Sequence, residues 1–192
     1  MTRDPDTTSS PRAFGHRPGT VDDLDALMGL FDAAVEWLVA RGQPEQWGSE
    51  PWSADPAKVD RIRGFIEDGD LWVAVDEADR VVGATIVNEV PMPYVEAVNE
   101  PELYVRLLIS DPAYRGANIG GELLERGKAI ARERGIDLLR VDCFAGGGGS
   151  LVRYYESQGF QRVHPFDVKG WPGMLLAQRV LTGASGEAAQ PH

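Results

Sequence analysis

Tyr114-Arg115-Gly116-Ala117-Asn118-Ile119-Gly120-Gly121 stands between an apolar run, Leu103 to Ile109, and a helical pattern, Glu122 to Arg134. A strand, a glycine-containing turn and a helix in that order make a cradle for phosphate. Successive backbone N–H groups of such a turn point outward, and the helix adds its unsatisfied first-turn donors and the positive end of its dipole. Glycine lets a phosphate oxygen reach the main chain and supplies positive φ where the turn needs it. The junction therefore implies a cofactor that carries a diphosphate. Its glycines sit at other offsets than the G-x-G-x-x-G of dinucleotide-binding folds, and it lacks the Lys-Ser/Thr pair of a nucleotide P-loop.

Outward from the loop, the following helix has Leu123, Leu124, Gly127, Ile130 and Ala131 on its buried side, and Ile136 to Phe144 reads as the next strand. In the strand before the loop, a period of two places Glu102, Tyr104, Arg106 and Leu108 on one face and Leu103, Val105, Leu107 and Ile109 on the other. Pro91, Pro93 and Pro101 break regular structure between Val90 and Glu102, leaving a loop free to lie over a substrate site. Leu71 to Val75 and Val81 to Val87 flank polar Asp76 to Arg80 as an antiparallel hairpin.

Two helices precede that hairpin. Thr20, with Asp23 near the capping-box position, starts the first, in which Leu24, Leu27, Met28, Phe31, Val35 and Leu38 recur at helical spacing. Asp55-Pro56 starts the second, with Val59, Ile62 and Ile66 as its apolar face. A short first strand is expected over Ala13 to Arg17. Toward the C-terminus, Gly146 to Gly149 reads as a flexible tetraglycine, Ser150 caps a helix running to Gln158, and Gly159 ends it. Phe160 to His164 and Gly173 to Leu181 close the fold as strands joined by a loop holding Asp167, Lys169, Trp171 and Pro172. The order is β-α-α-β-β-β-α-β-α-β-β without internal repeat, a single domain over 13–181 with disordered tails at 1–12 and 182–192.

A chain of 192 residues with 43% hydrophobic and 26% charged residues is ordinary for one globular domain. It has no apolar stretch of the roughly 18 residues needed to span a bilayer, and its polar, proline-containing first residues do not resemble a signal peptide. A cytoplasmic protein without membrane contact is expected. The net charge of −11 repels nucleic acid; it either serves solubility or draws in a cationic partner. Lone Cys143, inside an apolar strand pattern, reads as a buried structural thiol, and His16, His164 and His192 are too scattered for a metal site.

Two motifs now carry a family resemblance. Arg115-Gly116-Ala117-Asn118-Ile119-Gly120 follows Gln/Arg-x-x-Gly-x-Gly/Ala, with Asn118 in place of the central glycine, and Tyr155-Glu156-Ser157-Gln158-Gly159-Phe160 follows Tyr-x-x-x-Gly-Phe. With the element order, they make the chain similar to the GNAT superfamily of N-acetyltransferases. The resemblance implies an α/β acyl-CoA-binding fold, a mixed central sheet of about seven strands flanked by about four helices, with acetyl-CoA or another acyl-CoA as cofactor.

By that resemblance Arg115, Gly116, Ala117, Asn118, Ile119, Gly120 and Gly121 hold the diphosphate, while Leu107, Leu108 and Ile109 line the cofactor. N–H groups near Leu107 and Leu108 would polarise the thioester carbonyl. Asparagine tolerates left-handed backbone, so the turn survives at Asn118. Gly148 stands seven residues before Tyr155, where the family often has a cofactor-binding asparagine. Tyr155 would protonate the departing thiolate, and Glu102, thirteen residues before Arg115, would be the general base that deprotonates an amine of pKa near 10. Trp47, Trp52 and Tyr94 are expected in the acceptor pocket with Tyr104 and Arg106 as neighbours, and Trp37 and Trp72 in the core.

The expectation is direct acetyl transfer to a primary amine of a small, cationic molecule. A protein N-terminus or lysine is the second acceptor, and a non-catalytic acyl-CoA-binding module or transfer of a different acyl group are the other readings. Pairing through the later strands, as in the family, implies a homodimer.

Overall fold

A computed structural model describes residues 14–181; the expected tails, and Ala13 of the expected first strand, lie outside the described residues. The elements are β1 (Gly15–Pro18), α1 (Leu24–Val39), α2 (Pro56–Asp68), β2 (Asp70–Val75), β3 (Val81–Asn88), β4 (Glu102–Ser110), α3 (Ile119–Glu133), β5 (Leu138–Phe144), α4 (Ser150–Ser157), β6 (Gln161–Val168) and β7 (Trp171–Arg179). They build a 7-stranded sheet in the order β1-β2-β3-β4-β5-β7-β6, antiparallel except where β4 runs parallel to β5. That one parallel pair requires the α3 crossover. None of the described helices is long and apolar enough to cross a membrane.

Local chemistry accounts for the boundaries. Thr20 and Asp23 form the capping box, opening a short 3-10 turn that runs into α1. The Asp55 carboxylate accepts from Ala57 N at 3.0 Å, with Pro56 opening α2. Gly159, at φ +94°, ends α4, and Phe160 N donates to Tyr155 O at 3.1 Å. Two expectations need correction at this end. Ser150 lies inside α4, because Gly149 at φ +71° holds the cap position. The supposed loop between the last strands is mostly strand: β6 and β7 meet at Lys169-Gly170, both at positive φ, in a tight hairpin turn.

The sheet is covered on both faces. Leu27, Phe31 and Val35 of α1 and Ile62 and Ile66 of α2 pack with Leu71, Val73 and Ile86 on one face. On the other, Leu124, Ile130 and Ala131 of α3 and Val152 and Tyr155 of α4 pack with Leu103, Val105, Leu139 and Val141. β4 contributes to both cores. Its register against β3 slips between Val105 and Leu107, leaving Arg106 without a partner, and beyond the slip Leu107 and Ile109 join the α1–α2 face. The uninterrupted alternation expected from the sequence is therefore wrong: a bulge adds one residue and swaps the two sides.

Candidate active site

The bulge sits where the sheet opens. β4 and β5 are paired only from Glu102 to Val105 against Leu138 to Val141. From Arg106 to Ser110, β4 has no partner on that side, while Asp142 to Phe144 of β5 pair only with β7. A cleft of about 770 Å³ occupies the wedge, lined by Leu107, Leu108, Ile109, Gly120, Cys143, Tyr154 and Tyr155 toward the loop and by Trp47, Trp52, Arg61, Tyr94, Arg106 and Asp142 toward the α2 side. The edge of β4 beyond Val105 is thus left unpaired beside the cleft, with Leu107 and Leu108 in its lining.

The loop ends on the first turn of α3. Asn118 adopts φ 60° and ψ 20°, the left-handed conformation, and its side chain makes no capping bond, so the helix keeps free N–H donors at this end. Its carboxamide lies against the first turn instead: a Cβ on Gly121 would fall 2.3 Å from Asn118 Oδ1. Gly120 has a different duty. A Cβ there would meet the Tyr154 hydroxyl at 2.5 Å, so the missing side chain admits that phenol to the cleft. Arg115 and Arg41 both lie over the Trp37 ring, 4.8 and 4.2 Å from its centroid. Trp37 is thus half-buried between cations rather than in the core, and Arg41 adds positive charge that the sequence reading missed. Trp72, half-buried, does pack against the α3–α4 core, with Arg126 4.0 Å from its ring centroid.

Tyr155 is buried at the cleft floor, edge-on to Tyr154 and Phe160 at 5.4 and 5.7 Å. Burial lifts its pKa well above the ordinary phenol value, so the hydroxyl keeps its proton at neutral pH. Burial likewise pushes the Cys143 thiol up to about 12, which makes it an inert cleft wall rather than a nucleophile. Gly148 lies outside the cleft lining, in a turn where Gly147, Gly148 and Gly149 are all left-handed and Arg153 binds the Gly148 carbonyl at 2.6 Å.

Glu102 is misplaced for a base. Its side chain is 6% exposed, outside the cleft lining, and both its oxygens are held by Arg140, Nε at 2.5 Å and Nη2 at 2.8 Å. The buried, bidentate ion pair holds the charged Glu102 side chain away from the cleft. Tyr104 also leaves the substrate set: fully buried, it donates to Asp142 Oδ1 at 2.5 Å.

Of the two carboxylates that line the cleft, Glu45 and Asp142, Asp142 is the more buried one, toward the end of β5. Tyr94, 42% exposed, donates to its Oδ2 at 3.2 Å. Burial raises the Asp142 pKa above the ordinary carboxylate value, against the opposing effect of the two tyrosine hydrogen bonds. A carboxylate so placed is a better proton acceptor than a solvated one. The sequence did carry a signal, since Arg140 and Asp142 interrupt an otherwise apolar strand, Leu138-Leu139-Arg140-Val141-Asp142-Cys143-Phe144. Around Asp142, Arg106 donates to Val90 O at 3.0 and 3.2 Å, and Phe31, Trp47 and Trp52 form a ring cluster in which Phe31 and Trp52 stack 4.3 Å apart. Trp52 serves the core and the cleft together.

Comparison with known proteins agrees with this geometry. The model of the acetyltransferase (GNAT) family matches residues 31–160, and the chain belongs to that family. It is an acetyltransferase, with acetyl-CoA as the family's acetyl donor. A GNAT-family acetyltransferase from Listeria monocytogenes superposes with a TM-score of 0.65 at 20% identity, over 86% of this chain and 94% of the other. An acetyltransferase structure from Salmonella typhimurium, solved with acetyl-CoA, gives 0.61 at 16% identity, over 92% and 99%. The ribosomal-protein-alanine N-acetyltransferase of Brucella melitensis gives 0.60 at 22%, over 86% and 99%. No curated protein sequence matches this chain at a significant level.

Proposed function

We propose that the protein transfers the acetyl group of acetyl-CoA directly to the primary amine of a small molecule, with Asp142 as general base and Tyr155 as general acid. The observation that carries this reading is a single wedge between β4 and β5 whose lining joins Gly120 at the start of α3 and Tyr155 with the partly buried carboxylate of Asp142. The residues fit a CoA thioester: uncapped first-turn donors after Asn118, open space at Gly116, and an unpaired β4 edge.

Acetyl-CoA supplies an activated acyl carbon. An alkyl amine near pKa 10 arrives protonated, and Asp142 accepts that proton so that nitrogen can attack. N–H groups of the free β4 edge polarise the carbonyl. As the C–S bond breaks, Tyr155 gives its hydroxyl proton to the sulfur. Tyr104 positions Asp142, since its buried hydroxyl is committed to Oδ1.

The net charge of −11 favours a cationic acceptor at long range, whereas the cleft itself carries Lys58, Arg61 and Arg106 against Glu45 and Asp142. Local charge does not follow the total, so the support for a cationic acceptor is lost within the site.

Calorimetric titration with acetyl-CoA, followed by measurement of CoA release with an amine panel, tests this reading. Micromolar binding and turnover are expected, and Asp142→Asn should lower kcat about 100-fold while leaving acetyl-CoA affinity unchanged. Absence of binding up to about 1 mM would remove the acetyltransferase assignment of this site. Full activity in Asp142→Asn would remove Asp142 as the base.

A further inference from the structure

The acceptor half of the cleft is built around cations whose hydrogen-bonding capacity is mostly unspent. Lys58, Arg61 and Phe65 recur on one face of α2, and all three line the cleft. Lys58 and Arg61 lie over the Trp52 ring, 5.0 and 4.9 Å from its centroid, and Arg106 from β4 lies 5.4 Å from the Phe65 centroid. Lys58 has one distant counter-ion, Asp55 at 4.0 Å. Arg106 uses Nε and Nη2 on the Val90 carbonyl and keeps Nη1 free, while Arg61 makes no hydrogen bond or ion pair among the described residues. Arg61 lines the same cleft as Tyr94 and Asp142, and the Tyr94 hydroxyl donates to Asp142 Oδ2 at 3.2 Å.

Three cations gathered over aromatic faces in an acidic protein need an explanation that solubility does not supply. A planar guanidinium with free N–H groups is shaped for an oxyanion. Trp47, Trp52 and Phe65 supply apolar wall to the same cleft.

We propose that the acceptor amine also bears an oxyanion group, of carboxylate type, that docks on Arg61 and Arg106 while its amine faces Asp142 and its apolar body lies against Trp47, Trp52 and Phe65. This substrate class, a small amino-acid-like molecule, rests on the acetyl-transfer reading of the same cleft. It runs opposite to the acceptor that the net charge favours.

Three probes with one aromatic body separate the charges: L-phenylalanine, 3-phenylpropionate and 2-phenylethylamine, each titrated calorimetrically into protein saturated with CoA. The two carboxylates should bind at least about tenfold tighter than 2-phenylethylamine. In Arg61→Gln and in Arg106→Gln that gap should narrow to about threefold. Arg61 is exposed on α2, so its replacement leaves the core intact. The proposal is overturned if 2-phenylethylamine binds as tightly as L-phenylalanine, if none of the three binds up to about 10 mM, or if the gap survives in both variants. Acetyl-CoA binding and CoA release with other amines are read separately, so loss of the oxyanion site leaves the acetyltransferase reading standing, and the reverse.

Discussion

Two carboxylates show how burial and partner divide labour at the residue scale. Glu102 is locked to Arg140, with both side chains almost wholly buried, and a charge so paired cannot leave its partner without a large desolvation penalty. Glu102→Gln should therefore act on stability, costing about 3 kcal/mol or more and lowering Tm, with the pH dependence of kcat unchanged. Replacing the pair together, Glu102→Leu with Arg140→Met, should recover most of that loss in denaturant titrations. Asp142 is the opposite case. A base must be deprotonated to act, so kcat/KM should climb as pH rises through its elevated pKa, and the climb should disappear in Asp142→Asn. A profile unchanged by that substitution would assign the limb to another group.

At the scale of elements, the bulge at Arg106 and the short β4–β5 pairing do the work that makes a site. One extra residue turns Leu107 and Ile109 onto the α1–α2 core and leaves the edge of β4 unpaired where β5 departs. The start of α3 contributes by absence of side chains. Gly120→Ala should push the Tyr154 ring out of its position, raising the acetyl-CoA Kd about tenfold with little change in Tm, because a tyrosine end can swing aside. Unchanged affinity would show that Tyr154 and Gly120 do not border the cofactor.

For the whole molecule, the sum of charges and their placement tell different stories. With a sequence pI near 4.7, solubility should pass through a minimum close to that pH, measurable by light scattering. The acid end of any pH–rate profile should therefore be recorded with the scattering monitored. The acidic surface weighs less than the cleft wall in the choice of acceptor, because exposed charges beyond about 10 Å are screened at ordinary salt while Lys58, Arg61 and Arg106 line the cleft itself.

The element order, the caps at Thr20 and Asp55, the left-handed Asn118 and the family were legible in the sequence because each rests on neighbours in the chain: a period, a cap or a motif of a few residues. The proton acceptor and the acceptor cations were not. Glu102 and Asp142 are both acidic residues in apolar strands, and only the partners brought by other segments separate them: Arg140 from β5 ties up Glu102, whereas Tyr104 from β4 and Tyr94 from the preceding loop hydrogen-bond Asp142 at the cleft. The bulge that reverses β4, and the approach of Arg106 to Phe65 of α2 that puts it in one cleft with Arg61, likewise arise from contacts between segments far apart in sequence. Local propensity determined what the elements are; long-range packing decided which charges are buried, which are paired and which are left to meet a substrate.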